Sequence, residues 1–492
     1  MTGPLAPPAP AGPVRASAAA VAGRRVTARA LVEESLRRVA AAVDLGAVVA
    51  VRAAAALAEA DALDRALEAG EPAGPLAGVP VLVKDLEDVA GLPTRRGSRL
   101  FAAAPPATAH EVVPARLVAA GGIVIGKTAL PELATEGFTA SLLHGVTRNP
   151  WAPQRSPGGS SGGSGAALAA GLAPVATGTD GGGSVRIPAA LCGLLGLKPT
   201  HGLVGRWPVA DWLDLSTYGP LAHDAGDLRL LLSLMAGLVA GDPDSAPPPA
   251  DLRLPDTGPP VRRLVAAERT SPLGPLPGGV AGRLRSGADA LADLLGVPVT
   301  WLDPADVLGA GGGHDPDLDW FVLAPAEHVA SLTETLGSRE RVAAAVEEPD
   351  LLHPATRAFL AAGLRVDAAT YLAARRRRAR YTRRLDELLG ADGLLVTPTV
   401  ATDAWFADGR LSPGDPLGPL PPEVYSTAVQ NVTGHPALSL PWGCDAAGVP
   451  SGLQVTAPRW RDPLLLDLAA RWQAAHPWPA AAPGFAPWPA AW

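Results

Sequence analysis

Two clusters of glycine and serine crowd residues 156 to 186, SPGGSSGGSGAALAAGLAPVATGTDGGGSVR. A serine hydroxyl attacks a carbonyl carbon when a base removes its proton and fixed donors hold the developing oxyanion. The second cluster offers the donors. Gly181, Gly182 and Gly183 carry no Cβ, so their backbone N–H groups and that of Ser184 can line an anion-binding turn. An oddity of composition points to the base. Lysine and arginine together number 41, yet lysine occurs only at 84, 127 and 198. Arginine keeps its proton near neutral pH, whereas burial can strip a lysine of its charge.

The elements that must position these groups are legible from periodicity. Thr27 is placed to cap a helix that carries Leu31, Leu36, Val39 and Val43 on one face, and a second, alanine-rich helix runs to about Gly70. GVPVLVKDLEDVAG then gives a short strand with Lys84 near its C-terminal end. Further strands are expected at GIVIGKT, APVATGT, RRLVAAE, VPVTWL, GLLVTPTV, PALSLPW and GLQVTAP. Helical patterns cover 110–120, 162–171, 225–238, 279–294, 366–390 and 462–474. Strands alternating with helices predict an α/β fold whose sheet is covered by helices on both faces.

Three motifs compete for the site. GGIVIGKT at 121–128 matches the phosphate-loop pattern, but Ile123, Val124 and Ile125 read as the strand itself and leave no loop to wrap a phosphate. The first glycine–serine cluster satisfies G-x-S-x-G centred on Ser160 and again on Ser161. That nucleophile elbow needs a strand before it, and RNPWAPQRSP holds three prolines. The second cluster follows the expected strand APVATGT, so Ser184 is delivered from a strand into a glycine turn. Asp180 and Arg186 flank that turn and are placed to brace it as an ion pair.

A lysine at a strand end in VPVLVKDL, a glycine–serine loop 76 residues on in PGGSSGGSGAALAAGL, and a serine 24 residues further in GTDGGGSVRIPAALCGLLGLKPT together resemble the amidase signature family. IVIGKTALPELATEG, TRNPW, STYGPLA, LLVTPT, QNVTGHPALSLP and GLQVTAP fall in the matching order, so the resemblance spans nearly the whole chain. It implies a large mixed β-sheet core and a single domain over 1–492, with proline- and alanine-rich extensions at about 1–15 and 477–492. It implies Ser184 as nucleophile, Ser160 as bridging serine after a cis Gly159–Ser160 peptide, and Lys84 as base. The N–H groups of Gly181, Gly182 and Gly183 would form the oxyanion hole, with Ser161, Asp180 and Arg186 in support. The expected activity is hydrolysis of a small carboxylic amide, with no cofactor and possible homodimerisation. The alternatives are an esterase or carbamate hydrolase, or the amidase subunit of a glutamyl-tRNA amidotransferase. Leu203 stands where an arginine is common, and TPTVATDAW lacks a frequent proline. Both departures bear on the pocket rather than the triad.

Composition narrows the class further. A formal charge of −7 on 492 residues carries no nucleic-acid footprint. No apolar run reaches the ~18 residues of a membrane span, and the N-terminus has no secretory pattern, so no membrane partner and a cytoplasmic location are expected. Cys192 and Cys444 lie far apart, and the nine histidines show no ligand spacing, so no metal is expected. Lys127, Lys198 and Cys192 read as structural, and the Asn431–Thr433 glycosylation match reads as chance. The arginine run 375–384 reads as a solvated helix face paired with acids. Prolines at 244–260 and 411–422 mark loops at the edges of a substrate-contacting region, and the tail from 477 is either packed on the surface or unstructured.

Overall fold

A computed structural model describes residues 12–208, 211–248, 252–270, 275–309, 315–411 and 426–489. Most of its strands form two mixed sheets, and two further pairs of short strands stand apart. The four-stranded sheet runs Val48–Val51, Ile123–Thr128, Pro80–Lys84, Val175–Ala176, with only the first strand antiparallel to its neighbour. The seven-stranded sheet runs Leu221–Ala222, Leu195–Lys198, Ala437–Cys444, Pro450–Thr456, Gly393–Pro398, Arg263–Ala266, Val299–Trp301. Its last three strands are parallel and the others antiparallel.

Strand alternation assigns the two faces of the larger sheet. Leu438, Leu440, Leu453 and Val455 point into an apolar core shared with Leu284 and Leu291 of helix Gly278–Leu295 and Leu465 of helix Asp462–Ala475. The intervening Thr397, Ser439, Gln454 and Thr456 are equally buried and face the other way. There Gln454 meets Arg186 of the short helix Arg186–Cys192, and Thr456 meets Gln430 of helix Ala428–Thr433. Buried polar groups need partners, so this layer specifies one arrangement of the helices above it.

Most expected elements are present. Thr27 caps helix Ala28–Ala41 by accepting from the Ala30 N–H at 3.1 Å. Ile123–Thr128 is a fully buried strand, as the rejection of a phosphate loop requires. The arginines of 375–384 lie on helix Ala368–Leu389, where Arg375 and Arg378 pair with Asp214, and Arg377 with Asp319 at 2.6 Å. The tail packs back: Trp488 Nε1 donates to Ser17 Oγ at 2.9 Å and Trp478 lies against Trp151. Trp492 and residues 412–425 lie outside the described residues.

Two expectations need correction. APVATGT is not one strand. Val175–Ala176 joins the four-stranded sheet and Thr179–Asp180 pairs separately with Thr217–Tyr218. The break falls at Gly178, where a Cβ would meet Leu221 Cδ1 at 2.7 Å as the chain passes between sheets. Helices Pro316–Leu336, Arg339–Glu347 and Pro354–Arg365 lie where no helical pattern is legible. Pro316 and Pro354 occupy first helical positions, where a missing N–H costs nothing, and Pro325 interrupts the longest of the three. No helix among the described residues is long and apolar enough to cross a membrane.

Candidate active site

Lys84 ends the buried strand Pro80–Lys84, and its own N–H donates to Thr177 Oγ1 at 2.9 Å. Its Nζ lies 2.7 Å from Ser160 Oγ and 2.8 Å from Thr179 Oγ1. The side chain is fully buried. Burial brings the amine down to about 7, against the opposing charges of Glu87 and Asp180. A neutral amine can donate to Thr179 and accept from Ser160 at once.

Burial alone does not single out this lysine. Lys198 is also buried and also brought down to about 7, by burial and then by the Arg186 charge, but its Nζ donates to the Pro199 carbonyl at 2.8 Å. Lys127 pairs with Asp85 at 3.1 Å and donates to Thr94 at 2.9 Å. Only Lys84 reaches one of the candidate serines.

Ser160 follows a cis Gly159–Ser160 peptide. A side chain at Gly159 would meet the Glu136 and Phe138 carbonyls, each at 2.6 Å. The next residue joins the two clusters. The Ser161 N–H donates to the Ser184 carbonyl at 3.2 Å, and the Thr179 N–H donates to Ser161 Oγ at 3.3 Å. Ser161 therefore ties the loop carrying Ser160 to the turn carrying Ser184.

The glycine turn is fixed carbonyl by carbonyl. Asn431 Nδ2 donates to the Asp180 carbonyl at 2.8 Å, Trp320 Nε1 to that of Gly181 at 2.8 Å, Thr427 Oγ1 to that of Gly182 at 2.7 Å, and the Ile187 N–H to that of Gly183 at 2.7 Å. In a planar trans peptide the following N–H points the opposite way, so the N–H groups of 181 to 184 are held away from those partners. One is committed: the Gly183 N–H donates to Asp180 Oδ1 at 2.8 Å. Each glycine is also required sterically. A Cβ at Gly181 would sit 1.9 Å from Trp212 Cε3, one at Gly182 would sit 2.7 Å from Trp320 Cζ2, and Gly183 has φ +131.

Asp180 and Arg186, both buried, form the expected pair at 2.7 Å. Arg186 also donates to Gln430 at 3.0 Å, Gln454 at 2.7 Å and Asn431 at 2.8 Å. Burial acts to raise the Asp180 carboxyl, but the Arg186 charge and its hydrogen bonds outweigh it and hold the group at about 2. Asn431, the centre of the glycosylation-like match, is buried and uses its amide on Asp180 and on the Leu215 carbonyl.

Ser160, Thr179, Gly181 and Ser184 line one cavity. Its other walls include Glu87, Arg96, Glu111, Arg206, Asp211, Trp212, Tyr218 and His328. None of these was legible as a pocket residue, and the proline stretch 244–260 supplies no described wall residue. Trp320 and Trp212 carried a weak signal as large aromatics in a chain only 4% aromatic.

A buried lysine joined to one serine, with a second serine on a donor-rich glycine turn in the same cavity, is an arrangement that suits acyl transfer. The comparisons are specific about the family. The profile of the amidase family matches residues 30–466. A Mycobacterium bovis protein named amidase AmiB2 is 37% identical over 432 residues, 86% of this chain and 87% of that one. A glutamyl-tRNA(Gln) amidotransferase subunit from Chloroflexus aurantiacus is 34% identical, over 94% of this chain and 96% of that one. A solved 6-aminohexanoate cyclic dimer hydrolase superposes with a TM-score of 0.82 at 29% identity, over 96% of this chain and 98% of that one. The chain belongs to the amidase family and is an amide-hydrolysing enzyme.

Proposed function

We propose that the enzyme cleaves a small carboxylic amide through an acyl-enzyme on Ser184, with Ser160 and Lys84 as proton relay. The neutral Lys84 amine takes the Ser160 proton, and Ser160 takes that of Ser184 as its oxygen attacks the carbonyl carbon. The turn of Gly181, Gly182 and Gly183 holds the oxyanion through backbone N–H groups, with the Gly183 N–H shared with Asp180. Run in reverse, the relay protonates the leaving amine, and water then hydrolyses the ester. Ser161, Asp180 and Arg186 hold the turn in place. The reading uses no metal and no cofactor.

The observation that carries it is the 2.7 Å contact between Lys84 Nζ and Ser160 Oγ in a fully buried setting. The reading takes residues 1–492 as one amidase unit acting in the cytoplasm on a free small molecule, with a homodimer as the assembly to be checked by sedimentation. The test is a panel of aliphatic, aryl and cyclic amides with matched esters and carbamates, assayed on the isolated chain. Hydrolysis of simple amides without any partner supports it.

The 34% identity to a component of glutamyl-tRNA amidotransferase supports a second reading, ammonia release within a larger assembly. Glutamine hydrolysis that appears only on adding partner proteins would establish that one instead.

A further inference from the structure

The cavity that holds Ser160 and Ser184 has an uneven set of charges. Arg96 is paired with Asp211 at 3.2 Å. Arg206 is engaged by Asp244 at 3.4 Å and by the Ser216 carbonyl at 2.8 Å. The two remaining carboxyls, Glu87 and Glu111, form no ion pair with either guanidinium of this wall. Glu111 accepts from the Tyr218 hydroxyl and, at 3.0 Å, from the Asp88 N–H. Glu87 Oε1 accepts from Thr177 Oγ1, while its Oε2, on a side chain 1% exposed, has no hydrogen-bond partner among the described residues. A buried carboxyl oxygen without a donor carries a desolvation cost that a ligand donor would relieve. Burial and then the Glu111 charge push the Glu87 carboxyl up to about 8, against Lys84 and Lys127, and a cation at Oε2 would draw it back toward the carboxylate.

We propose that Glu87, with Glu111 beside it, is the specificity element of this amidase and receives a protonated primary amine at the end of the substrate away from the scissile bond. The preferred substrates are therefore amides of amino-terminated acids. The ammonium donates to Glu87 Oε2, the carboxyl oxygen that has no donor among the described residues. This inference rests on the proposed amidase reading of the same site.

The test uses two acyl p-nitroanilides of equal chain length, one ending in a primary ammonium and the other in a methyl group. The expected result is a kcat/KM at least tenfold higher for the ammonium-ended substrate, with the ratio falling below threefold in Glu87→Gln. A wild-type ratio near one, or a ratio unchanged by the substitution, overturns the proposal. Alkylammonium ions should also inhibit the wild-type enzyme competitively, at least tenfold better than alcohols of the same length; equal inhibition counts against the idea even if Glu87→Gln fails to fold. Absence of hydrolysis of either anilide would instead strike at the amidase reading itself.

Discussion

Asp180 and Arg186 grip each other through two hydrogen bonds, Nε to Oδ2 at 2.9 Å and Nη2 to Oδ1 at 2.7 Å, across the turn that presents Ser184. The same carboxylate receives the Gly183 and Val185 N–H groups, so charge pairing and turn shape are one structure. Removing one member leaves the other charged in a dry interior. Arg186→Met should lower the unfolding free energy by about 3 to 5 kcal/mol in urea titrations. A loss under about 1 kcal/mol would mean that the pair is not holding the turn.

Lys84→Ala should reduce kcat by about a thousandfold or more while circular dichroism and thermal unfolding report an intact fold. The variant removes the only amine bonded to Ser160 and leaves a small void. Near-normal turnover would sink the relay.

The pH profile follows from the same amine. Below about 7 Lys84 is an ammonium without a lone pair and cannot accept the Ser160 proton; above it the base is available. The acid limb of kcat/KM should therefore fall about tenfold per pH unit below an apparent pKa near 7, with a plateau above. A limb at the ordinary lysine value of about 10.4 would show that burial does not bring the amine down, and a profile with no limb between about 7 and 10.4 would show that another group acts as base.

Trp320→Phe keeps an aromatic ring and deletes one hydrogen bond, that to the Gly181 carbonyl. The Gly182 N–H, in the same peptide plane, loses its fixed direction. The expected outcome is a drop of about 10- to 100-fold in kcat with KM within a few fold, since the turn serves the transition state more than the bound amide. A change confined to KM would assign Trp320 to substrate packing.

Gly181→Ala drives a methyl group into Trp212, whose nearest ring atom is 1.9 Å from the new Cβ. Either the turn or the indole must move. Loss of about 100-fold or more in kcat is expected, together with a shifted near-ultraviolet tryptophan signal. Unaltered activity would place the oxyanion elsewhere.

The residues proposed to carry the chemistry are legible because each is announced locally: Lys84 by a strand end and a composition that avoids lysine, Ser184 by three adjacent glycines. What fixes them is not. Trp320 reaches Gly181 across 139 residues, and Thr427 reaches Gly182 across 245. Neither contact leaves a periodic trace, and the helix carrying Trp320 contains a proline that breaks its pattern. The sheet strands were found from apolar runs such as GLLVTPTV, whereas the polar face made by Thr397, Ser439 and Gln454 looks in sequence like solvent-facing alternation. It is buried because the Arg186 helix covers it. Lys198 shows the limit from the other side: a lysine as rare and as buried as Lys84 is left out of the site by what its amine touches.

All three lysines are interior, at 0, 0 and 1% exposure. The outer surface thus carries arginine and no lysine. An amine-acylating reagent added to the folded protein finds no lysine side chain to label, and the two that burial favours as free amines, Lys84 and Lys198, are both shut inside. Lysine acylation therefore becomes a clock for opening of the interior: its rate counts excursions of the fold, residue by residue at 84, 127 and 198, with no surface lysine to subtract.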